Sequence, residues 1–389
     1  MRFSLGVLAC GFGVLSLVAC GGDDGESRLL GPDRISENGE KPNDEPAPKP
    51  TDDPPPITCA ADIPQPTLVA NDGAAKDVFL TKRGVIFRAG PTVVQVGRDG
   101  KNKRQLATTP NVVSSWADDG SLVLVESVPD TETSVLRVIN LEKLPEPDPN
   151  KPDQAPPTGI AAPTAINAGS IEIFASDATG FYMLAEAAGT EALYRVEKAN
   201  PLAMTLLTST KTDKITYPVL ANGFVWYVKN GQRIFKVGAA QPVEGEPDEN
   251  GIAPLLPALP PGPPQEVFGI SYASVRLAVD EKNAFYSTGN LLEKRDLTGA
   301  NPAVLLDTEK SKSKASFSTP IATRDAVLIP SLTADPSFKH IIRSVKVTAQ
   351  GAEERLVACG RDAAPTNVVA DGTSIAWAEA GKGVFITPR

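Results

Sequence analysis

Seven times between residues 84 and 377 an apolar run opens just after a turn signal, and this recurrence constrains the fold more than any other feature. The runs are Gly84-Val85-Ile86-Phe87, Gly120-Ser121-Leu122-Val123-Leu124, Gly180-Phe181-Tyr182-Met183, Gly223-Phe224-Val225-Trp226-Tyr227, Asn283-Ala284-Phe285-Tyr286, Asp325-Ala326-Val327-Leu328-Ile329 and Gly372-Thr373-Ser374-Ile375-Ala376-Trp377. Extended segments precede most of them, among them Val112 to Trp116, Ile171 to Phe174, Thr216 to Leu220 and Val368 to Ala370. Strand, Asp/Asn-Gly turn, strand is a hairpin pattern. A third strand follows each hairpin, often with a second turn and a fourth strand, as from Val93-Val94-Gln95-Val96 through Arg98-Asp99-Gly100 to Arg104-Gln105-Leu106-Ala107. Proline, 36 of 389 residues, argues against long helices.

Taking Phe87, Val123, Tyr182, Trp226, Tyr286, Leu328 and Trp377 as equivalent positions gives spacings of 36, 59, 44, 60, 42 and 49 residues. Four of these are near the length of a four-stranded propeller blade. The two long intervals contain Pro-rich, strand-poor inserts at about residues 144–163 and 239–265, each placed after a third strand. The predicted fold is all-β: a single β-propeller of about seven four-stranded blades, with six or eight left open. Over Thr67 to Arg389 the chain resembles the WD40-like and TolB-like bacterial propellers, on period and turn placement, and lacks a Gly-His...Trp-Asp signature. The last repeat, Pro365 to Arg389, supplies three strands, and Thr67 to Ala70 is the expected fourth, closing the ring from the N-terminal side.

The N-terminus carries a different signal. Arg2 precedes a short apolar run from Leu5 to Val18, too short to span a bilayer comfortably, which reads as an export signal over residues 1–19. Leu17-Val18-Ala19-Cys20 resembles the lipobox of bacterial lipoproteins. That resemblance implies cleavage before Cys20, a diacylglycerol thioether on its sulfur and N-acylation of the new terminus. The alternative is an ordinary signal peptide in which Cys20 is incidental. Several acyl chains anchor durably where one is marginal, so the resemblance implies a membrane partner through the lipid. It places the protein in the cell envelope, at the outer membrane, on the periplasmic face or the cell surface. Gly21 resembles outer-membrane sorting signals, and Asp23-Asp24 resembles acidic surface-export signals.

Residues 20–58 read as a disordered acidic, Pro-rich tether, too poor in apolar side chains to offset ordering entropy. Arg2 and this stretch account for −5 of the formal charge of −9, which leaves −4 over residues 59–389. Such a balance offers no basic footprint for nucleic acid. With Cys10 lost in the signal and Cys20 acylated as the lipobox implies, Cys59 and Cys359 are the expected intramolecular disulfide, at the edge where the ring closes. Free or intermolecular thiols are the alternative.

Familiar catalytic chemistry finds little material. The single His340 lies in an extended run and no Gly-x-Ser-x-Gly turn is present, so a Ser/His/Asp triad is not expected. Glu246 to Gly251 begins like a calcium loop but places Pro257 where the bidentate Glu belongs. No catalytic residue, metal or cofactor is therefore assigned. The acidic turns Asp118-Asp119-Gly120, Asp371-Gly372 and Asn71-Asp72-Gly73 would bind a cation only if they converged at one rim. The aromatic residues are expected mainly between blades. The apolar insert around Leu255, Leu256 and Leu259 is a candidate interaction segment, since Pro-rich extended chains dock at low entropic cost. The expected function is a monomeric binding or scaffold module contacting an envelope protein or polymer. Two alternatives stand beside it: a carboxylate-based hydrolase or lyase acting on envelope glycan or peptide, and a purely structural propeller.

Overall fold

A computed structural model describes residue 59 and residues 63–144, 163–244, 255–256, 260–308, 315–333, 339–348 and 351–389. The chain divides into two units, Met1–Thr51 and Asp52–Arg389, and every described residue belongs to the second. Cys20, the export signal, the whole of the tether, Leu259, nearly all of the first insert and about half of the second lie outside the described residues.

The strands fall into seven antiparallel sheets that are the blades of a β-propeller. After β1 (Thr67–Ala70), blade 1 is β2 (Ala75–Thr81), β3 (Gly84–Ala89), β4 (Thr92–Val96) and β5 (Arg104–Thr108). Blade 2 is β6 (Val112–Ala117), β7 (Ser121–Ser127), β8 (Ser134–Asn140) and β9 (Thr164–Ile166). Blade 3 is β10 (Ser170–Ser176), β11 (Gly180–Ala187), β12 (Thr190–Glu197) and β13 (Met204–Thr210). Blade 4 begins with β14 (Ile215–Ala221), β15 (Phe224–Lys229) and β16 (Arg233–Gly238). A separate small hairpin, β17 (Val243–Glu244) with β18 (Leu255–Leu256), comes before the blade's outer strand β19 (Gln265–Gly269). Blade 5 is β20 (Arg276–Val279), β21 (Asn283–Thr288), β22 (Leu291–Asp296) and β23 (Ala303–Asp307). Blade 6 has a split inner strand, β24 (Ala315–Phe317) and β25 (Ile321–Ala322), followed by β26 (Val327–Thr333), β27 (His340–Thr348) and β28 (Gly351–Arg361). Blade 7 is β29 (Pro365–Ala370), β30 (Ser374–Glu379) and β31 (Gly383–Pro388), with β1 as its outer strand. All seven positions taken as equivalent in the sequence lie on second strands.

The apolar runs are continuous because both faces of each blade are buried. Successive side chains of a strand point to opposite faces, so Val85 and Phe87 pack against blade 7 while Ile86 packs against blade 2. Leu122 and Leu124 face blade 1, Val123 and Val125 face blade 3. Val225 and Tyr227 turn to blade 3, Trp226 and Val228 to blade 5. The buried apolar residues therefore form one cluster per seam, seven in all among the described residues. The core is a ring of interfaces, and no blade has a core of its own.

One turn recurs between first and second strands. Asp118 Oδ1 accepts the N–H groups of Gly120 and Ser121, at 2.9 and 2.7 Å. Asp177, Asp280 and Asp371 make the same turn with the N–H groups two and three residues on. These Asp residues are there for turn geometry. Several such turns are also gripped from the neighbouring blade. Lys198 of blade 3 reaches Asp118 of blade 2 at 2.6 Å, Arg98 of blade 1 reaches Asp371 of blade 7, and Arg389 of blade 7 reaches Asp325 of blade 6.

Candidate functional site

The inner strands β2, β6, β10, β14, β20, β25 and β29 follow one another around the axis. Between those of blades 3 to 6 opens a cavity of about 790 Å³, within the size range of small-ligand pockets. Its charged lining residues are Glu172, Glu186, Glu191 and Lys214. Apolar side chains from β14, β20 and β25, including Val219, Leu277 and Ile321, cover much of the remaining wall.

Each charged group has a distinct setting. Glu191, almost buried, accepts the Ile215 N–H at 2.6 Å and the Lys214 Nζ at 2.7 Å, which joins blades 3 and 4. The Glu191 carboxylate, with a smaller contribution from Glu186, raises the Lys214 pKa. Glu172 opens onto the cavity and, among the described residues, has no side-chain hydrogen bond or ion pair. Protein surrounds it at longer range, and that desolvation pushes its carboxyl pKa up. The register of β10 and β11 pairs Ser170 with Glu186 and Glu172 with Leu184. Glu172 and Glu186 are therefore diagonal neighbours on one face, roughly 7–8 Å apart at the backbone.

The wall opposite is shaped by an irregular strand. β14 bulges between Thr216 and Val219, and within the bulge Tyr217 sits at φ 51°, immediately before Pro218. A left-handed backbone is unfavourable for an aromatic residue. A bulge re-aims side chains and accommodates a proline that cannot donate to the ladder. Tyr217 consequently lines the cavity with 36% of its surface exposed. Thr216 Oγ1 beside it is buried without a hydrogen-bond partner, an arrangement that costs about 1–3 kcal/mol.

The residues singled out in the sequence are distributed elsewhere. Cys59 and Cys359 face each other with Cα atoms 5.8 Å apart, Cys59 shortly before β1 and Cys359 on β28. Leu255 and Leu256 form β18 and pair with Glu244 and Val243. His340 opens β27, opposite Leu332 in the ladder, and is not part of the cavity lining. A second cavity, of about 670 Å³, includes Asp118, Ser176, Asp177 and Lys198, but these groups already hold one another. Burial opposes ionisation of Asp118, yet its hydrogen bonds to Lys198 and Ser176 prevail and lower its pKa. Asn71 to Gly73 lie between an outer and an inner strand, whereas Asp118 and Asp371 lie between first and second strands. Trp226, Trp377, Tyr182, Tyr227 and Tyr286 are buried in the seams. Sequence reasoning missed Glu172, Glu186, Lys214 and the orientation of Tyr217. The one available signal was an acid between two isoleucines, Ile171-Glu172-Ile173, on an inner strand.

Among solved structures, the chain is similar to a catalytically inactive virginiamycin B lyase from Staphylococcus aureus crystallised with quinupristin. The TM-score is 0.51 at 12% identity, over 83% of this chain and 98% of that one. The fold they share is the β-propeller. BamB from Moraxella catarrhalis aligns at a TM-score of 0.41 and 8% identity, covering 80% of this chain and 81% of its own. The WD40 domain of SCAP from fission yeast aligns at 0.45 and 9%, again over 80% and 81%. No protein-family model matches the chain, and no curated protein matches it in sequence.

Proposed function

We propose that this protein is an exported, lipid-anchored binding module, whose propeller engages an envelope protein or polymer through the axial cavity of blades 3 to 6. The observation that carries this reading is the wall made by Glu172 and Tyr217. A carboxylate without a partner and a half-exposed aromatic ring on a left-handed backbone share one concave surface. Groups held in unfavourable states inside a cavity are characteristic of binding surfaces. Leu17-Val18-Ala19-Cys20 supports the anchor, with residues 20–58 as the tether that holds the ring away from the membrane. Cys59 and Cys359 are read as a disulfide tying the tether's end to blade 6.

The test compares capture from envelope membranes by the intact chain, Tyr217→Ala, Glu172→Gln and a deletion of residues 251–264. A partner held by the intact chain and lost with Tyr217→Ala or Glu172→Gln supports the cavity. Loss only with the deletion moves the binding surface to the Leu255 insert. Cys20→Ser is expected to release the protein from the membrane fraction and to abolish incorporation of a palmitate analogue.

A second reading, a carboxylate-based hydrolase, draws on Glu172 and Glu186, two carboxylates on one face of blade 3 that both line the cavity, as an acid and a base flanking a glycosidic bond would. It requires turnover of envelope glycan that both Glu172→Gln and Glu186→Gln eliminate.

A further inference from the structure

The cavity's charges do not balance, and the imbalance indicates what it would hold. Three carboxylates and one ammonium line it, a net −2. Lys214 is engaged, with its Nζ 2.7 Å from Glu191 Oε1, and the other Glu191 oxygen receives the Ile215 N–H. Glu172, with no side-chain partner among the described residues, and Glu186, both exposed, are left facing the cavity. Around them Pro218, Val219, Leu277, Pro320 and Ile321 contribute apolar wall, beside the hydroxyls of Ser170, Thr216 and Thr319. Low-dielectric walls of this kind focus the field of a carboxylate. A metal ion suits the geometry poorly. Among the described residues no group of three His, Cys, Asp or Glu stands where it could hold one.

We infer that the axial cavity binds an alkylammonium group carried on an aliphatic stem, with the head at Glu172 and Glu186 and the stem against Pro218, Val219 and Ile321. This rests on the proposed role of the cavity as the binding surface. One carboxylate suffices for a charge-assisted hydrogen bond to an ammonium, and an aliphatic stem covers apolar wall while its head stays polar. The Tyr217 ring adds a face that attracts cations. The same chemistry is offered by a free diamine and by a lysine side chain of a partner protein.

Calorimetric titration of the intact, detergent-solubilised protein with cadaverine, with a blocked tri-lysine peptide and with pentanediol distinguishes these. Saturable binding of either amine, without binding of pentanediol, is the expected result. Tighter binding of the peptide identifies a lysine side chain as the source, and binding of cadaverine alone identifies a free amine. Glu172→Gln is expected to weaken binding about tenfold, corresponding to about 1.4 kcal/mol. Because Glu172 holds no other side chain and desolvation disfavours its charge, the melting temperature of Glu172→Gln should be no lower than the parent's at neutral pH. Glu142→Gln, in the second cavity, should change nothing, and Lys214→Met should tighten binding by removing the competing cation. Absence of saturable binding by both amines, equal binding of pentanediol, or an unchanged affinity in Glu172→Gln overturns the inference. If partner capture is lost with Tyr217→Ala while neither amine binds, the cavity remains the binding surface and only the ligand class is wrong.

Discussion

Arg98 of blade 1 clasps Asp371 of blade 7 across the seam where the ring closes. Its second terminal nitrogen donates to Thr373 Oγ1 at 2.8 Å, so one guanidinium holds the whole Asp371 turn. The closing blade is thus held twice, by the β1–β31 ladder and by this clasp. Partial burial pushes the Asp371 carboxyl up, but the Arg98 hydrogen bond and the N–H groups of Thr373 and Ser374 bring it down to about 2.

An acid-dependent stability follows from that shift. The folded carboxyl titrates near 2, against roughly 3.9 when unfolded. The clasp's contribution is therefore fully present above about pH 4 and is lost as the pH falls towards 2. Melting temperatures of the parent and Asp371→Asn should differ at neutral pH and converge on acidification. Parallel curves would mean that the difference does not arise from the Asp371 charge, and coincident curves that the clasp contributes nothing.

Closure by β1 needs a glycine. Gly383 opens β31 at φ 131°, and a Cβ there would collide with the carbonyl oxygen of Ala70 on β1. Gly383→Ala should cost about 2–3 kcal/mol. Gly372→Ala, where a Cβ meets open space, should be nearly neutral. Denaturant unfolding of the two variants checks the contrast.

Glu379 is only 1% exposed and is held by Arg361 at 2.6 and 3.0 Å, with the Trp377 indole N–H at 2.8 Å. Arg361→Ala should destabilise by about 3–5 kcal/mol, because a buried carboxylate loses its counter-charge. Adding Glu379→Gln to Arg361→Ala should recover part of that loss, as a double-mutant cycle in urea would show.

If Cys59 and Cys359 are bonded, thiol reagents should leave both unmodified in the unfolded chain until a reductant is added. Closing a loop of 300 residues contributes about 5 kcal/mol in the chain-entropy account. The Cys59→Ser, Cys359→Ser double variant should unfold at lower denaturant by a corresponding amount. Equal midpoints with and without reductant would sink the pairing.

The blades were legible because a strand buried on both faces must be apolar without alternation. Val85-Ile86-Phe87 and Leu122-Val123-Leu124 serve two seams each, and that burden shows in every repeat. The closing strand was legible because blade 7 came up one strand short at Arg389 and Thr67 to Ala70 was spare. The cavity was not legible. Glu172, Lys214 and Tyr217 come from two blades, and nothing local distinguishes an acid facing an axial cavity from one facing bulk water. Nor does Tyr217-Pro218 announce that its backbone turns left-handed; the β14–β15 register imposes the bulge.

Sequence alone determined the period, and with it a propeller of about seven blades, since hydrophobic burial and turn chemistry act over a few residues; the ring of sheets fixed the count at seven. It also carried the Leu17-Val18-Ala19-Cys20 motif. Tertiary structure decided which charges meet. Lys198 finds Asp118, Arg98 finds Asp371, and Lys214 goes to Glu191, leaving Glu172 facing the axial cavity. Electrostatic partnership depends on distances across seams, and those distances exist only once the ring has closed.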